Sequence, residues 1–181
     1  MKYGCTPEMY FGLTYKKGGF LGRVGADVLS IKPRNVGPVA DPTDASKTIN
    51  VHVKDRKTSL LYYAYLQYNK GLFSFKAKTT YGEGGEHISL MSGYAKVGEL
   101  EDGTWQYASL RNSSSWVSLS YGKKWQGVLF AGYMKNLGLA DEHDIEKVYF
   151  NSNGSTNINQ MYRINPQGLY NFGKFSLGLE Y

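Results

Sequence analysis

Cysteine is almost absent from this chain: Cys5 stands alone among 181 residues. A single thiol excludes an intrachain disulfide framework and any metal–thiolate cluster. Long apolar runs are missing too, and without about 18 consecutive apolar residues no transmembrane helix is possible. Met1-Lys2-Tyr3-Gly4-Cys5 has no apolar core ahead of its cysteine, so no secretory signal is visible in it and a lipid-anchored Cys5 is not expected. The 21 Lys and Arg exceed the 15 Asp and Glu, giving a net charge of +6. These cations are scattered, with no contiguous basic run, which argues against nucleic acid as a partner.

What the chain does have is Tyr, Gly and a repeat. Sixteen Tyr and 22 Gly favour strands and turns over helices. Four short Gly- and Lys-containing turns recur about every fifty residues, each bracketed by aromatics. They are Tyr15-Lys16-Lys17-Gly18-Gly19-Phe20, Tyr68-Asn69-Lys70-Gly71-Leu72-Phe73, Tyr121-Gly122-Lys123-Lys124-Trp125 and Tyr170-Asn171-Phe172-Gly173-Lys174-Phe175. Gly and Asn supply the positive φ of a tight hairpin, so each reads as a hairpin tip. Short turns on one side, long polar loops on the other and aromatics near the turns are the pattern of an outer-membrane β-barrel. The tip aromatics would form an interfacial girdle, ring bodies toward lipid and polar edges toward headgroups. The negative mean hydropathy agrees with this, because only every second residue of such a strand meets lipid.

Period-two alternation tests the strands one by one. Met9, Phe11, Leu13 and Tyr15 share a face, as do Phe20, Val24, Ala26 and Val28, with Arg23 and Asp27 opposite. Leu60, Tyr62, Ala64, Leu66 and Tyr68 alternate likewise, and Phe73, Phe75, Ala77, Thr79 and Tyr81 alternate with Ser74, Lys76, Lys78 and Thr80. Val117, Leu119 and Tyr121 oppose Trp116, Ser118 and Ser120. Residues 125–137 are almost continuously apolar and leave their faces open. Arg163, Asn165 and Gln167 oppose Tyr162, Ile164 and Pro166, and Phe175, Leu177, Leu179 and Tyr181 oppose Ser176, Gly178 and Glu180. A charge in mid-membrane on a lipid face costs about 2–4 kcal/mol. Arg23, Asp27, Lys76, Lys78, Arg163 and Glu180 are therefore the expected lining of a lumen, and four cations against two anions lean toward anionic solutes.

Three long loops are expected, at residues 34–56, 82–113 and 138–157. Pro38, Pro42 and the Asp41–Asp44 stretch argue against strands in the first. Equal spacing of the tips demands an even number of crossings between Gly71 and Gly122, so 82–113 reads as one loop, folded inward or carrying a small hairpin. Gly82, Gly84 and Gly85 permit a sharp bend, and Glu83 and Glu86 would set negative charge against the lysines. Asp141, Glu142, His143, Asp144 and Glu146 form an acidic cluster without the spacing of a calcium loop. His52, His87 and His143 all fall in loops, but no nucleophile elbow or zinc motif accompanies them. No catalytic residue, metal ligand or cofactor is assigned.

The expected fold is an all-β, antiparallel, up-and-down transmembrane barrel over residues 1–181, with about eight strands as part of a larger barrel. Short turns lie on the periplasmic side, so the strand after Gly173 travels outward and further strands are expected. The expected function is passive diffusion of small hydrophilic solutes across an outer membrane. Two other classes stay open: a soluble or surface-exposed β-sheet binding protein, such as a β-sandwich or lipocalin-like barrel, and an outer-membrane barrel hydrolase.

The segments 115–138, His87-Ile88-Ser89-Leu90-Met91-Ser92-Gly93-Tyr94, Met161-Tyr162-Arg163-Ile164-Asn165-Pro166 and Gly178-Leu179-Glu180-Tyr181 resemble the C-terminal half of porin-like barrels of Bacteroidota, similar to DcaP-type trimeric porins. The resemblance covers residues 87–181 best. It implies a homotrimeric outer-membrane channel for small solutes, of which this chain is a piece.

Overall fold

The computed structural model describes residues 6–140, 144–149 and 158–181. Among them the chain forms β1 (Met9–Lys17), β2 (Phe20–Ile31), β3 (Val36–Asp41), β4 (Asp44–His52), β5 (Lys57–Lys70), β6 (Phe73–Glu83), a single 3₁₀ turn (Glu86–Ile88), β7 (Tyr94–Glu99), β8 (Trp105–Gly122), β9 (Trp125–Leu139), β10 (Lys147–Tyr149), β11 (Gln160–Phe172) and β12 (Phe175–Glu180). Eight of these make one meander in the order β1-β2-β5-β6-β8-β9-β11-β12, antiparallel throughout. The sheet is open: β1 and β12 are its edges and do not pair with each other among the described residues. Among the described residues no helix is long and apolar enough to cross a membrane.

All four expected hairpin tips are present at one end of the sheet. Gly18, Gly71, Gly122 and Gly173 sit there with φ of 56°, 59°, 119° and 59°, a conformation side-chain-bearing residues resist. Neighbouring tips are tied together: Asn69 N donates to Gly19 O at 2.8 Å, Gly122 N to Leu72 O at 3.1 Å and Asn171 N to Lys124 O at 2.7 Å.

The tips are staggered. The row of paired residues through Phe20 runs to Tyr68 and Phe75, two residues above the next hairpin's end at Lys70 and Phe73. The row through Tyr121 reaches Gly127, two above Trp125, and the row through Trp125 reaches Tyr170, two above Phe172 and Phe175. Each hairpin thus ends two residues lower than the one before, a shift of one residue per strand. With about 3.3 Å per residue and about 4.8 Å between strands, tips in a common plane require strands tilted by about 35°.

Paired residues share a face, so the register sorts every side chain. The meander has one apolar face, running from Phe11 and Leu13 on β1 to Leu177 and Leu179 on β12. It also settles β9, where Trp125, Leu129, Ala131 and Tyr133 join that face. The other face carries the polar residues. The buried core is small and lies at the end away from the tips: Leu29, Val53, Leu61, Tyr107, Ala108 and Leu110 are its centre. β6 ends at Glu83, and beyond it β5 and β8 close on each other, with Ser59 Oγ 3.4 Å from Ser109 Oγ.

The long loops are more ordered than their sequences suggest. Residues 34–56 contain the β3–β4 hairpin, in which Pro38 pairs with Asn50. Proline is tolerated there because a two-stranded ribbon is all edge, and the missing N–H can point outward. Asp41 and Asp44 shape the turn by accepting from Thr43 and Ser46. Within 82–113, β7 pairs with the first half of β8, so the loop does carry a hairpin and β8 begins at Trp105 instead of after Ser113. Glu83 is the register partner of Arg111, on the face opposite Lys76 and Lys78, and therefore does not oppose those lysines. In 138–157, β10 pairs with β7. Cys5 and the Asp141, Glu142 and His143 portion of the acidic cluster lie outside the described residues.

Candidate functional site

The expected lining residues all fall on the polar face. One row of register partners passes through Thr14, Arg23, Tyr65, Lys78, Trp116, Gly132 and Arg163. Lys76 lies two residues from Lys78 on the same face, Asp27 four from Arg23, and Glu180 pairs with Gln167 of that face. Because of the stagger the row climbs across the sheet, from nearer the tips at β2 to nearer the loops at β11. Arg23, Lys78 and Arg163 thus form a diagonal track instead of a level ring.

Their surroundings differ. Arg23 Nε donates to Thr14 Oγ1 at 3.0 Å, and Lys78 Nζ stands 5.7 Å from the centre of the Tyr63 ring. Among the described residues neither they nor Lys76 form an ion pair, whereas Arg163 is bound to Glu180 and Asp27 faces His87. Aromatic rings lie between the cations: Tyr65 and Trp116 are 6.3 Å apart, Trp116 and Phe130 5.9 Å.

Residues 84–93 lie across the loop end of this face. His87 contacts Asp27 of β2, and Met91 N donates to Met134 Sδ of β9 at 3.1 Å. Gly84 N donates to Ser92 Oγ, which donates to Leu110 O, and Leu110 N donates to Gly93 O at 2.9 Å. The segment is so closely seated that a Cβ on Gly84 would collide with Ser59. The glycines at 82, 84 and 85 allow this course over the polar face.

The apolar face has a feature that inspection of single turns does not reveal. Tyr62 pairs with Tyr81 and Tyr133 with Tyr162, forming a second aromatic belt toward the loops. It is eight residues from the tip belt on each of three strands: Phe73 to Tyr81, Trp125 to Tyr133 and Tyr162 to Tyr170. That is about 26 Å along a strand and about 22 Å after a 35° tilt, close to the apolar band of about 25 Å of outer-membrane barrels. Between the belts no charged residue occupies this face among the described residues. Thr79 and Ser115, its polar pair, satisfy each other at 2.8 Å. Lys17 and Lys70 stand at the tip margin and Lys135 just beyond Tyr133.

Charges in the cap above the sheet are locally held. Asp41, Asp44 and Asp102 lie below the usual carboxylate range, because the hydroxyls of Thr43, Ser46 and Thr104 donate to them, helped by backbone N–H groups. Lys96 is pushed up by Glu146 at 2.8 Å and Glu99 at 3.0 Å. One further cluster joins parts distant in sequence: Glu8, Asp27 and His87.

The fold and site define a class: an antiparallel all-β meander with one apolar and one polar face. No protein-family model matches this chain, and no characterised protein or solved structure is significantly similar to it.

Proposed function

We propose that the eight-stranded sheet is wall of an outer-membrane β-barrel whose polar face lines a water-filled channel for small hydrophilic solutes. The observation that carries this reading is the apolar face. Its side chains stay largely uncovered, with Leu13 77%, Tyr162 76% and Leu179 81% exposed. In water such a continuous patch far exceeds what soluble proteins leave open. In a bilayer the same face is the favoured state, and the two aromatic belts and the outlying lysines mark its edges.

Two further observations support it. The one-residue stagger gives a tilt of about 35°, within the range that barrel closure requires. An open sheet in lipid would leave the β1 and β12 edges unpaired at several kcal/mol per group, so in the membrane both edges are completed by further strands. The resemblance to Bacteroidota porins fits this reading and suggests a trimer.

Arg23, Lys76 and Lys78 would give the lumen its sign, since Arg163 and Asp27 already have partners. Residues 84–93 would narrow the mouth on the loop side. Planar-bilayer conductance of the membrane-assembled protein under a salt gradient tests this. Stepwise ohmic currents with an anion-selective reversal potential are expected. A folded, inserted preparation that carries no current would refute the open channel.

A further inference from the structure

The Glu8, Asp27 and His87 cluster joins three parts of the chain at the loop end of the polar face. Its members come from the segment before β1, from β2 and from the 3₁₀ turn, and 79 residues separate Glu8 from His87. His87 Nε2 lies 3.0 Å from Glu8 Oε1 and 3.6 Å from Asp27 Oδ2. One donor atom from each residue falls within 4.8 Å of the other two. The second oxygen of Asp27, Oδ1, is enclosed without a hydrogen-bond partner, as is the Tyr63 hydroxyl on the same face. Two carboxylates thus converge on a single imidazole nitrogen, which can hold at most one proton between them.

We propose that Glu8, Asp27 and His87 bind a divalent transition-metal cation of the zinc type, which clamps the inward segment to the wall. Zinc bonds to imidazole nitrogen and carboxylate oxygen are about 2.0–2.2 Å, so ligand atoms in a tetrahedral site lie about 3.3 Å apart. Separations of 3.0 and 3.6 Å bracket that value. Two carboxylates balance the dication, and the free oxygen of Asp27 can join the coordination. Calcium and magnesium suit the set poorly, since they demand six or more oxygens or retained water, while the imidazole favours zinc and its neighbours. The three ligands leave one position to water or solute.

The consequence is mechanical. Met91 already fastens the far end of the segment to β9. Metal at His87 would fasten the near end to β2, fixing residues 84–93 across the polar face from both sides. Metal binding would stand whether or not the wall encloses a channel.

The test is calorimetry on the full, membrane-assembled chain with zinc chloride alone, and separately with calcium or magnesium chloride. One zinc per chain is expected, at least tenfold tighter than calcium or magnesium. His87→Gln should weaken zinc at least tenfold, and Asp27→Asn likewise, while His52→Gln and Cys5→Ser should not. His87 sits in a loop turn, so its variant leaves the wall intact, and circular dichroism checks that. On the wild-type chain, X-ray absorption should show one imidazole nitrogen with oxygen neighbours, and zinc should slow amide exchange across 84–93. Unchanged binding in His87→Gln, a sulfur neighbour, or no stoichiometric zinc in the wild type would overturn the proposal. The last result would leave the cluster as a Glu8–His87 ion pair.

Discussion

The two ends of β8 obey opposite rules. From Tyr107 to Leu110 four successive residues are buried, along the stretch where β7 pairs with the strand and Ser92 and Gly93 bond to Leu110. From Ser115 to Gly122 the same strand is alternately half-buried and exposed, with Val117 and Leu119 about 40% open at 42% and 39%. The upper half is packed as a protein core is, its stability coming from water excluded around Tyr107, which is 2% exposed, and Val53, which is 1% exposed. The lower half has no core at all. Its apolar side chains are left without protein cover, so a single strand joins a packed region to an uncovered one.

The largest effect expected from breaking this contrast is in the cap. Tyr107→Ala should cost about 3–5 kcal/mol by opening a cavity, read as faster amide exchange at Leu110 and Val53 with the wall amides unmoved. If the wall loosens equally, the two regions are one cooperative unit.

Next comes a pair one residue apart. Val117→Arg places a cation in mid-band and should cost about 2–4 kcal/mol in urea-titrated unfolding from lipid vesicles. Ser118→Arg, on the polar face, should cost under about 0.5 kcal/mol. Equal costs would show that both faces meet water.

Charge reversal sharpens the polar side. Lys76→Glu with Lys78→Glu should move the bilayer reversal potential toward cation selectivity with little loss of stability, whereas no shift would place those lysines outside the ion path. A smaller effect is expected at Thr79 and Ser115. Either hydroxyl removed alone should cost about 1 kcal/mol, and Thr79→Val with Ser115→Ala together should be near neutral in the same vesicle titration.

The smallest effect concerns acid. The folded pKa values of Asp41, Asp44 and Asp102 lie below the ordinary 3.8, so these groups contribute stability above that pH. The contribution is lost as pH falls through their folded values, because protonation removes the acceptors of Thr43, Ser46 and Thr104. Protection of cap amides, relative to the intrinsic exchange rate at each pH, should therefore fall below about pH 4 while that of wall amides holds, and a uniform change would tie the effect elsewhere.

The wall was legible in the chain and the cap was not. Strand faces followed from alternation at Phe73–Tyr81 because each residue there meets only one environment on each side. The β3–β4 hairpin escaped notice because Pro38 and the Asp-rich turn look like loop, although a two-stranded ribbon has no inner ladder for proline to break. β7 and the first half of β8 were hidden because burial on both faces erases alternation. The second aromatic belt was present in the spacing of Phe73 to Tyr81, Trp125 to Tyr133 and Tyr162 to Tyr170, and comparing strands at fixed offset would have found it.

The sequence by itself determined the hairpin tips, the eight-strand meander and the division into an apolar and a polar face. These follow from local turn chemistry and a period of two, which neighbouring residues dictate. Only the tertiary structure decided that Arg23, Lys78 and Arg163 share one row, that residues 84–93 lie across the polar face, and that Glu8 and Asp27 meet at His87. Those relations depend on register and on chain return over long separations, which no local pattern encodes.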